Sequence, residues 1–320
     1  MTAPPVADRL AAVLPAAEVA LATPLLEEIE ALKRTRNAVV LAHNYMTPDI
    51  FHGAADVTGD SLALARMAAD TDADVIVMAG VHFMAETAAL LNPERTVLIP
   101  DLDAGCSLAE SITPEQVRAL RRTHPGVPVA VYVNTSAAVK AEADITCTSS
   151  NAVQIVESLG AEQVIFLPDR YLAAWVATQT DVEIIDWQGS CIVHEQFTGD
   201  DLRFHRGAMP RLTILAHPEC PPDVLEEADF VGSTAAMERW VTDRHPEQVM
   251  LVTECSMSDN VAAAVPDVEF IRPCNLCPHM KRITLEGVRD SLLHLRHRVV
   301  VDPDIAGRAG AAVERMLSVS

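Results

Sequence analysis

Nine short apolar runs, none longer than seven residues, recur along the chain: 38-AVVLAH-43, 74-DVIVMAG-80, 96-TVLIP-100, 128-PVAVYVN-134, 163-QVIFLP-168, 182-VEIID-186, 211-RLTILAH-217, 248-QVMLVT-253 and 268-VEFIRP-273. Their apolar residues are consecutive rather than alternating, which predicts strands buried on both faces. Helical stretches such as 60-DSLALARMAADT-71, 114-PEQVRALRRTH-124 and 222-PDVLEEA-228 lie between them. Strand and helix in alternation predict the α/β class, with parallel sheets covered on both sides. With 49% apolar residues but only 4% aromatic, the cores must be aliphatic. A length of 320 residues suggests two or three lobes of roughly 100–150 residues.

An internal repeat sharpens that estimate. The strands in 96-TVLIPDLDAGC-106, 182-VEIIDWQGSC-191 and 268-VEFIRPCNLC-277 each lead to a cysteine seven positions beyond a strand residue (Ile99, Ile184, Phe270). The cysteines are 85 and then 86 residues apart, the pattern of three similar lobes. The expected division is an N-terminal extension over 1–24, then lobes over 25–108, 109–193 and 194–280. The C-terminal helices, 281–320, are expected to join the first lobe. Each lobe would deliver one thiol from the loop after a strand's C-terminal end, where open α/β sheets build their sites.

The bulk properties exclude several partners. A formal charge of −21 repels nucleic acid and anionic membranes. The apolar runs are far shorter than the roughly 20 residues a membrane span needs. The N-terminal stretch lacks the charged and apolar regions of a secretory signal, so a cytoplasmic protein is expected. Seven cysteines (106, 147, 191, 220, 255, 274, 277) in a reducing compartment favour metal ligands, reactive thiols or buried Cys over disulfides. No G-x-G-x-x-G or G-x-x-x-x-G-K-[ST] is present, so neither a dinucleotide nor a nucleoside triphosphate site is supported.

Polar residues gather at the same strand ends. His43 and Tyr45 follow the first run, Tyr132 and Asn134 close the fourth, and His217 and Glu219 close the seventh. His194 stands three residues past Cys191, beside a Glu195 expected to face solvent. His217 and Glu219 suit either a general acid–base pair or a salt-bridged loop. Hydroxyls in 59-GDSL-62, 149-SSN-151 and 232-GST-234 precede helical stretches, where they cap by default and equally offer donors to an anion. Three thiolates from three lobes could bind tetrahedral zinc with a water, or three irons of a [4Fe–4S] cluster. All-Cys zinc usually draws on two C-x-x-C pairs, and only one, Cys274–Cys277, occurs here. A three-thiol cluster leaves one iron open as a Lewis acid, which suits dehydration and condensation.

In order and spacing, 42-AHNY-45, 59-GDSL-62, 105-GCSLAES-111, 131-VYVNTSAAVKAEADITCTSSNA-152, 187-WQGSCIVHE-195, 216-AHPEC-220, 232-GST-234 and 277-CPHM-280 resemble the quinolinate synthase A family, from about Val39 to Leu292. The resemblance implies three pseudo-threefold-related α/β/α lobes with short parallel sheets around a central cavity. It implies condensation of iminoaspartate with dihydroxyacetone phosphate to quinolinate, with release of phosphate and water, in de novo NAD biosynthesis. It implies a [4Fe–4S] cluster on Cys106, Cys191 and Cys277. Proton transfer would fall to Tyr45, Tyr132, His217 and Glu219. His43, Ser61, Asn134, Ser149, His194, Ser233 and Thr234 would hold carboxylate or phosphate oxygens. An iminoaspartate-producing enzyme is the protein partner such a substrate calls for. Both substrates are anions, yet no Arg or Lys falls at these positions; neutral donors and helix starts must bind them, with Lys281 and Arg282 as nearby charges. Cys147 and Cys220 are expected as buried free thiols. Cys274, out of phase with the repeat, is expected to stand apart from Cys277 as a thiol that pairs only when the cluster is lost or does nothing, and Cys255 has no assigned role. Two other readings are a mononuclear zinc hydrolase using His194, His217 and Glu219, which lacks the H-E-x-x-H pattern, and a thiol- or cluster-based redox sensor.

Overall fold

The computed structural model describes residues 6–319. Three four-stranded sheets account for every strand among them. The first holds β1 (Ala38–His43), β2 (Val57–Gly59), β3 (Val75–Ala79) and β4 (Thr96–Leu98). The second holds β5 (Val129–Tyr132), β6 (Ile145–Cys147), β7 (Gln163–Leu167) and β8 (Glu183–Ile185). The third holds β9 (Leu212–Ala216), β10 (Phe230–Val231), β11 (Gln248–Val252) and β12 (Glu269–Ile271). All pairings within them are parallel, and each sheet runs second–first–third–fourth strand. The α/β class and the three similar lobes are therefore as expected.

All nine runs read as strands form strands, all but the first of them shortened at one or both ends. The central ones are buried along almost their whole length, as in 75-VIVMA-79 and 129-VAVY-132. β2, β6 and β10 escape the sequence pattern, and each is the same edge strand of its sheet. They are only two or three residues long, and β10 pairs through just Phe230↔Leu215 and Val231↔Ala216.

The repeat extends to an unforeseen polar contact. Asp56, Asp144 and Asp229 stand just before β2, β6 and β10. Each accepts a 2.8 Å hydrogen bond from the backbone N–H of Val40, Val129 or Ile214 on the adjacent strand. A basic side chain from the helix that leads into each sheet's first strand completes each one: Lys33 at 2.7 Å, Arg121 at 2.8 Å and Arg206 at 3.1 Å. The aspartate thus takes a strand N–H that the short edge strand cannot reach.

One face of the second sheet shares a continuous core with the first sheet, while its other face and both faces of the third carry separate clusters. Helix Leu285–His294 packs on helix Ala16–Arg36 and on β3. Helix Pro303–Val319 lies against helix His82–Leu91 of the first lobe and against β6 and helix Ala137–Lys140 of the second. Within the extension expected over 1–24, residues 1–5 lie outside the described residues; helix Val6–Leu10 and the start of helix Ala16–Arg36 follow, with Leu10 fully buried. No described helix is long and apolar enough to cross a membrane.

Replacing Asp144 with Ala leaves the buried N–H of Val129 without its acceptor. A loss of about 1–3 kcal/mol is expected in chemical denaturation. Asp144→Asn, which keeps an acceptor oxygen, should recover most of it. An unchanged midpoint in Asp144→Ala would show that the repeated aspartate is not structural.

Candidate active site

The strands' C-terminal ends converge on one cavity. Every residue expected at the site lines this cavity except Ser233. His43 ends β1, Ser61 follows β2, Tyr132 ends β5 and Asn134 follows it, Ser149 follows β6, and His217 and Glu219 follow β9. Ser233 sits behind Thr234: its hydroxyl accepts from the Ala236 N–H to cap helix Thr234–Arg244 and is 2.8 Å from that of Ser150. Asp60, Thr148 and His279 also line the cavity; each lies within or beside a recognised motif without having been singled out.

Cys106, Cys191 and Cys277 are free, partly exposed and all at the cavity. Burial raises all three thiols, Cys106 to about 12. Against it, the backbone N–H groups of the second and third residues downstream pull each thiol back down: Leu108 and Ala109, Val193 and His194, His279 and Met280. Paired N–H donors favour the thiolate, the form that binds metal. Cys147 has burial alone raising it and no such donors, and the buried Cys220 directs its thiol at the Val252 carbonyl. Both are free, as expected.

Cys255 and Cys274 overturn the expectation of unpaired thiols, for they form a disulfide. The parallel pairing of β11 with β12 continues beyond the strands as a Glu254↔Asn275 bridge, with Cys255 N–H bonded to Asn275 O at 3.1 Å. That register brings the Cα atoms of Cys255 and Cys274 to 4.8 Å, within disulfide reach. Cys274 therefore pairs away from Cys277, and the C-x-x-C is not one unit.

A buried hydrogen-bonded chain crosses the cavity wall. Tyr132 Oη donates to Glu219 Oε1 at 2.5 Å, and Glu219 Oε2 lies 2.9 Å from His194 Nδ1. His194 Nε2 is 2.9 Å from Thr253 Oγ1, which is 2.5 Å from Tyr45 Oη. His217 stacks on His194 with ring centroids 4.7 Å apart, accepts the Glu219 N–H at Nδ1, and reaches the Ser149 hydroxyl through Nε2 at 3.1 Å. Burial works against charge on Glu219, but His194, His217 and the hydrogen bonds from His194 and Tyr132 outweigh it, holding the carboxyl at about 2. Burial holds His217 itself neutral, at about 3. Burial, reinforced by Glu219, keeps both Tyr45 and Tyr132 protonated far above the usual phenol range. Burial also lowers His43 to about 4; its Nδ1 accepts the Tyr45 N–H at 3.2 Å, leaving Nε2 to carry the proton.

The chain matches the family profile described as quinolinate synthetase A protein over residues 27–318. It is 64% identical to the quinolinate synthase of Agrobacterium fabrum (strain C58) over 98% of this chain and 90% of that protein. It is 64% identical to the quinolinate synthase of Xylella fastidiosa (strain 9a5c) over 92% of this chain and 87% of the relative. For the quinolinate synthase of Caulobacter vibrioides (strain NA1000), identity is 58% over 92% and 81%. The chain belongs to the quinolinate synthetase A family.

In this family member no Arg or Lys lines the cavity, as expected. Lys281 is not a solvated loop charge: its Nζ is 2.9 Å from buried Glu254 and donates to Tyr45 O and Ser256 Oγ. Arg282 pairs with Asp101 and Asp103 at the surface. Donors facing the cavity are therefore hydroxyls, imidazoles and amides. Among them, Asn134 has a buried Oδ1 with no partner among the described residues. Thr253 was missed altogether, although it follows β11 as His217 follows β9. Applying the strand-end rule to every strand would have found it.

Neutral buried His43 and His217 set a sign for the pH dependence. With folded-state values of about 4 and about 3, against roughly 6.5 in the unfolded chain, the unfolded state takes up protons first on acidification. Stability of the metal-free protein should fall as pH drops from about 6.5 toward 4, by about 1.4 kcal/mol per pH unit for each histidine. In His217→Asn the slope over that window should lose one proton's worth. An unaltered slope would contradict the neutral assignment.

Proposed function

We propose that the chain is a quinolinate synthase that condenses iminoaspartate with dihydroxyacetone phosphate, releasing phosphate and water. The observation that carries the proposal is the convergence of three free, N–H-supported thiols and the acid–base residues on one small cavity. Membership of the family and relatives named quinolinate synthase support it. The donor set fits a [4Fe–4S] cluster held by Cys106, Cys191 and Cys277, because three free thiols, each with backbone N–H groups that favour the thiolate, line the same cavity. When bound, such a cluster supplies one iron without a protein thiol, a Lewis acid for an oxygen or imine nitrogen.

The chain's own residues supply the proton chemistry and the positioning. Ionised Glu219 is the base, and the protonated phenols of Tyr45 and Tyr132 are the acids. Neutral His217 supports Glu219 and orients Ser149. His43, Ser61, Asn134, Ser149 and Thr234 hold substrate oxygens from the cavity wall, while Ser233 contributes through the helix start it caps. His194 contributes through Glu219, since both ring nitrogens are engaged within the protein. A cytoplasmic location and a separate enzyme supplying iminoaspartate belong to the same proposal.

A second arrangement has one specific observation behind it: ligand atoms of Cys191, His194 and Glu219 lie within 4.8 Å of one another. A single ion there would compete with the hydrogen bonds that His194 and Glu219 already make. Purified without oxygen, the protein should be brown, carry about four irons and four sulfides per chain, and form quinolinate from the two substrates. Cys106→Ser, Cys191→Ser and Cys277→Ser should each lose the cluster, whereas Cys147→Ser should keep it. Stoichiometric zinc without labile sulfide would sink the proposal.

A further inference from the structure

We propose that Asn260 and Lys281 are positioning residues that set the Tyr45 ring by holding the three successive carbonyls of Asn44, Tyr45 and Met46. The inference rests on the quinolinate synthase assignment, in which Tyr45 is an acid at the cavity. Neither Asn260 nor Lys281 lines that cavity, and both reach Tyr45 through its backbone.

Tyr45 stands in the turn after β1. Within the first lobe that turn is tied back to His43, whose Nδ1 accepts the Tyr45 N–H at 3.2 Å and whose carbonyl accepts the Met46 N–H at 2.9 Å. Its own carbonyls are taken up by side chains that follow β11 and β12. The Asn260 amide, on helix Ser256–Ala262, donates to Asn44 O at 3.0 Å and to Met46 O at 2.9 Å. Between those two bonds Lys281 Nζ, four residues past Cys277, donates to Tyr45 O at 2.8 Å. The carbonyls of Asn44 and Tyr45 belong to the two peptide planes that meet at the Tyr45 Cα. Holding both planes fixes φ and ψ there, and with them the direction in which the ring leaves the backbone.

Lys281 is itself aimed. An ammonium has three hydrogens, and the two not given to Tyr45 O meet Glu254 Oε1 at 2.9 Å and Ser256 Oγ at 2.6 Å. Glu254 is fully buried, and its other oxygen accepts the Ser256 N–H at 2.8 Å. Lys281 therefore cannot swing off the carbonyl without stranding a buried carboxylate. Stability alone does not explain either side chain. A buried ion pair adds little over well-packed apolar residues of the same volume. Asn260 is 4% exposed, and its Oδ1 has no partner among the described residues, a cost that an apolar side chain of similar size avoids. What the two residues do supply is three N–H donors to three consecutive carbonyls centred on Tyr45.

The test compares Asn260→Leu with Ser256→Ala in the iron-loaded enzyme, and follows the tyrosine rings by NMR in the metal-free full chain. Asn260→Leu should lower kcat by about 10–100-fold, the scale of a misplaced reacting group. Its KM for dihydroxyacetone phosphate should stay within about threefold, since the residue does not touch substrate, and its iron content should equal that of the parent. Ser256→Ala, which leaves Lys281 on both Glu254 and Tyr45 O, should keep kcat within about threefold. The chain has only three tyrosines, Tyr45, Tyr132 and Tyr171, so each ring signal can be followed singly. That of Tyr45 should shift or broaden in Asn260→Leu, with Tyr171 unmoved. Should Asn260→Leu fail to fold, Lys281→Met combined with Glu254→Gln carries the same expectations, because it removes the donor to Tyr45 O together with the charge that would be stranded. Turnover at the parent rate, a rise in KM alone, an equal loss in Ser256→Ala, a loss of iron, or an unmoved Tyr45 signal would each overturn the proposal. Should the parent itself make no quinolinate, the functional assignment fails, and the Tyr45 signal still decides whether the clamp sets the ring.

Discussion

Glu219 is an ionised carboxylate only 3% exposed at the meeting point of three sheets, and burying a lone charge costs several kcal/mol. Its compensation comes from elsewhere in the chain: Tyr132 at the end of β5 and His194 in the turn after Cys191. Through Thr253 the same chain reaches Tyr45, which follows β1. Each sheet therefore contributes to the chain, and a one-residue slip of β5 would take the Tyr132 hydrogen bond away from the charge. Assembly of the lobes and preparation of the acid–base site are one event.

Repetition is what makes that assembly reproducible. Each lobe uses one strand order, an aspartate that accepts an N–H from its first strand, and a cysteine at the cavity followed by backbone N–H groups that favour its thiolate. The first device sets the edge of the sheet, and the second sets a thiol at the C-terminal end of its fourth strand. Three copies bring three sulfurs to one cavity without any lobe holding a complete site.

How much of this could be read from the residues depended on the range of the interaction. Central parallel strands are buried on both faces, so 75-VIVMA-79 and 249-VMLV-252 announce themselves as apolar runs. Edge strands such as Phe230–Val231 are too short to leave a pattern, and the aspartates that complete them look like ordinary loop acids. The thiol register was legible because the lobes are nearly equal in length. The Cys255–Cys274 disulfide was not, because it follows from the register of β11 against β12. Thr253 was hidden for a related reason: its importance lies in what it joins across lobes, Tyr45 and His194. Ser233 shows the converse, a motif position whose hydroxyl is spent on a helix cap.

The central claim is that the three repeated thiols hold a single iron–sulfur centre in this cavity, with Glu219 left free to act as a base. Anomalous scattering at the iron edge, from crystals grown without oxygen, tests it most directly. The account predicts one cluster-sized peak bounded by the sulfurs of Cys106, Cys191 and Cys277, with the carboxylate of Glu219 still bonded to Tyr132 and His194. A single-atom peak ligated by Cys191, His194 and Glu219, or a peak at zinc's edge in the same place, would contradict it.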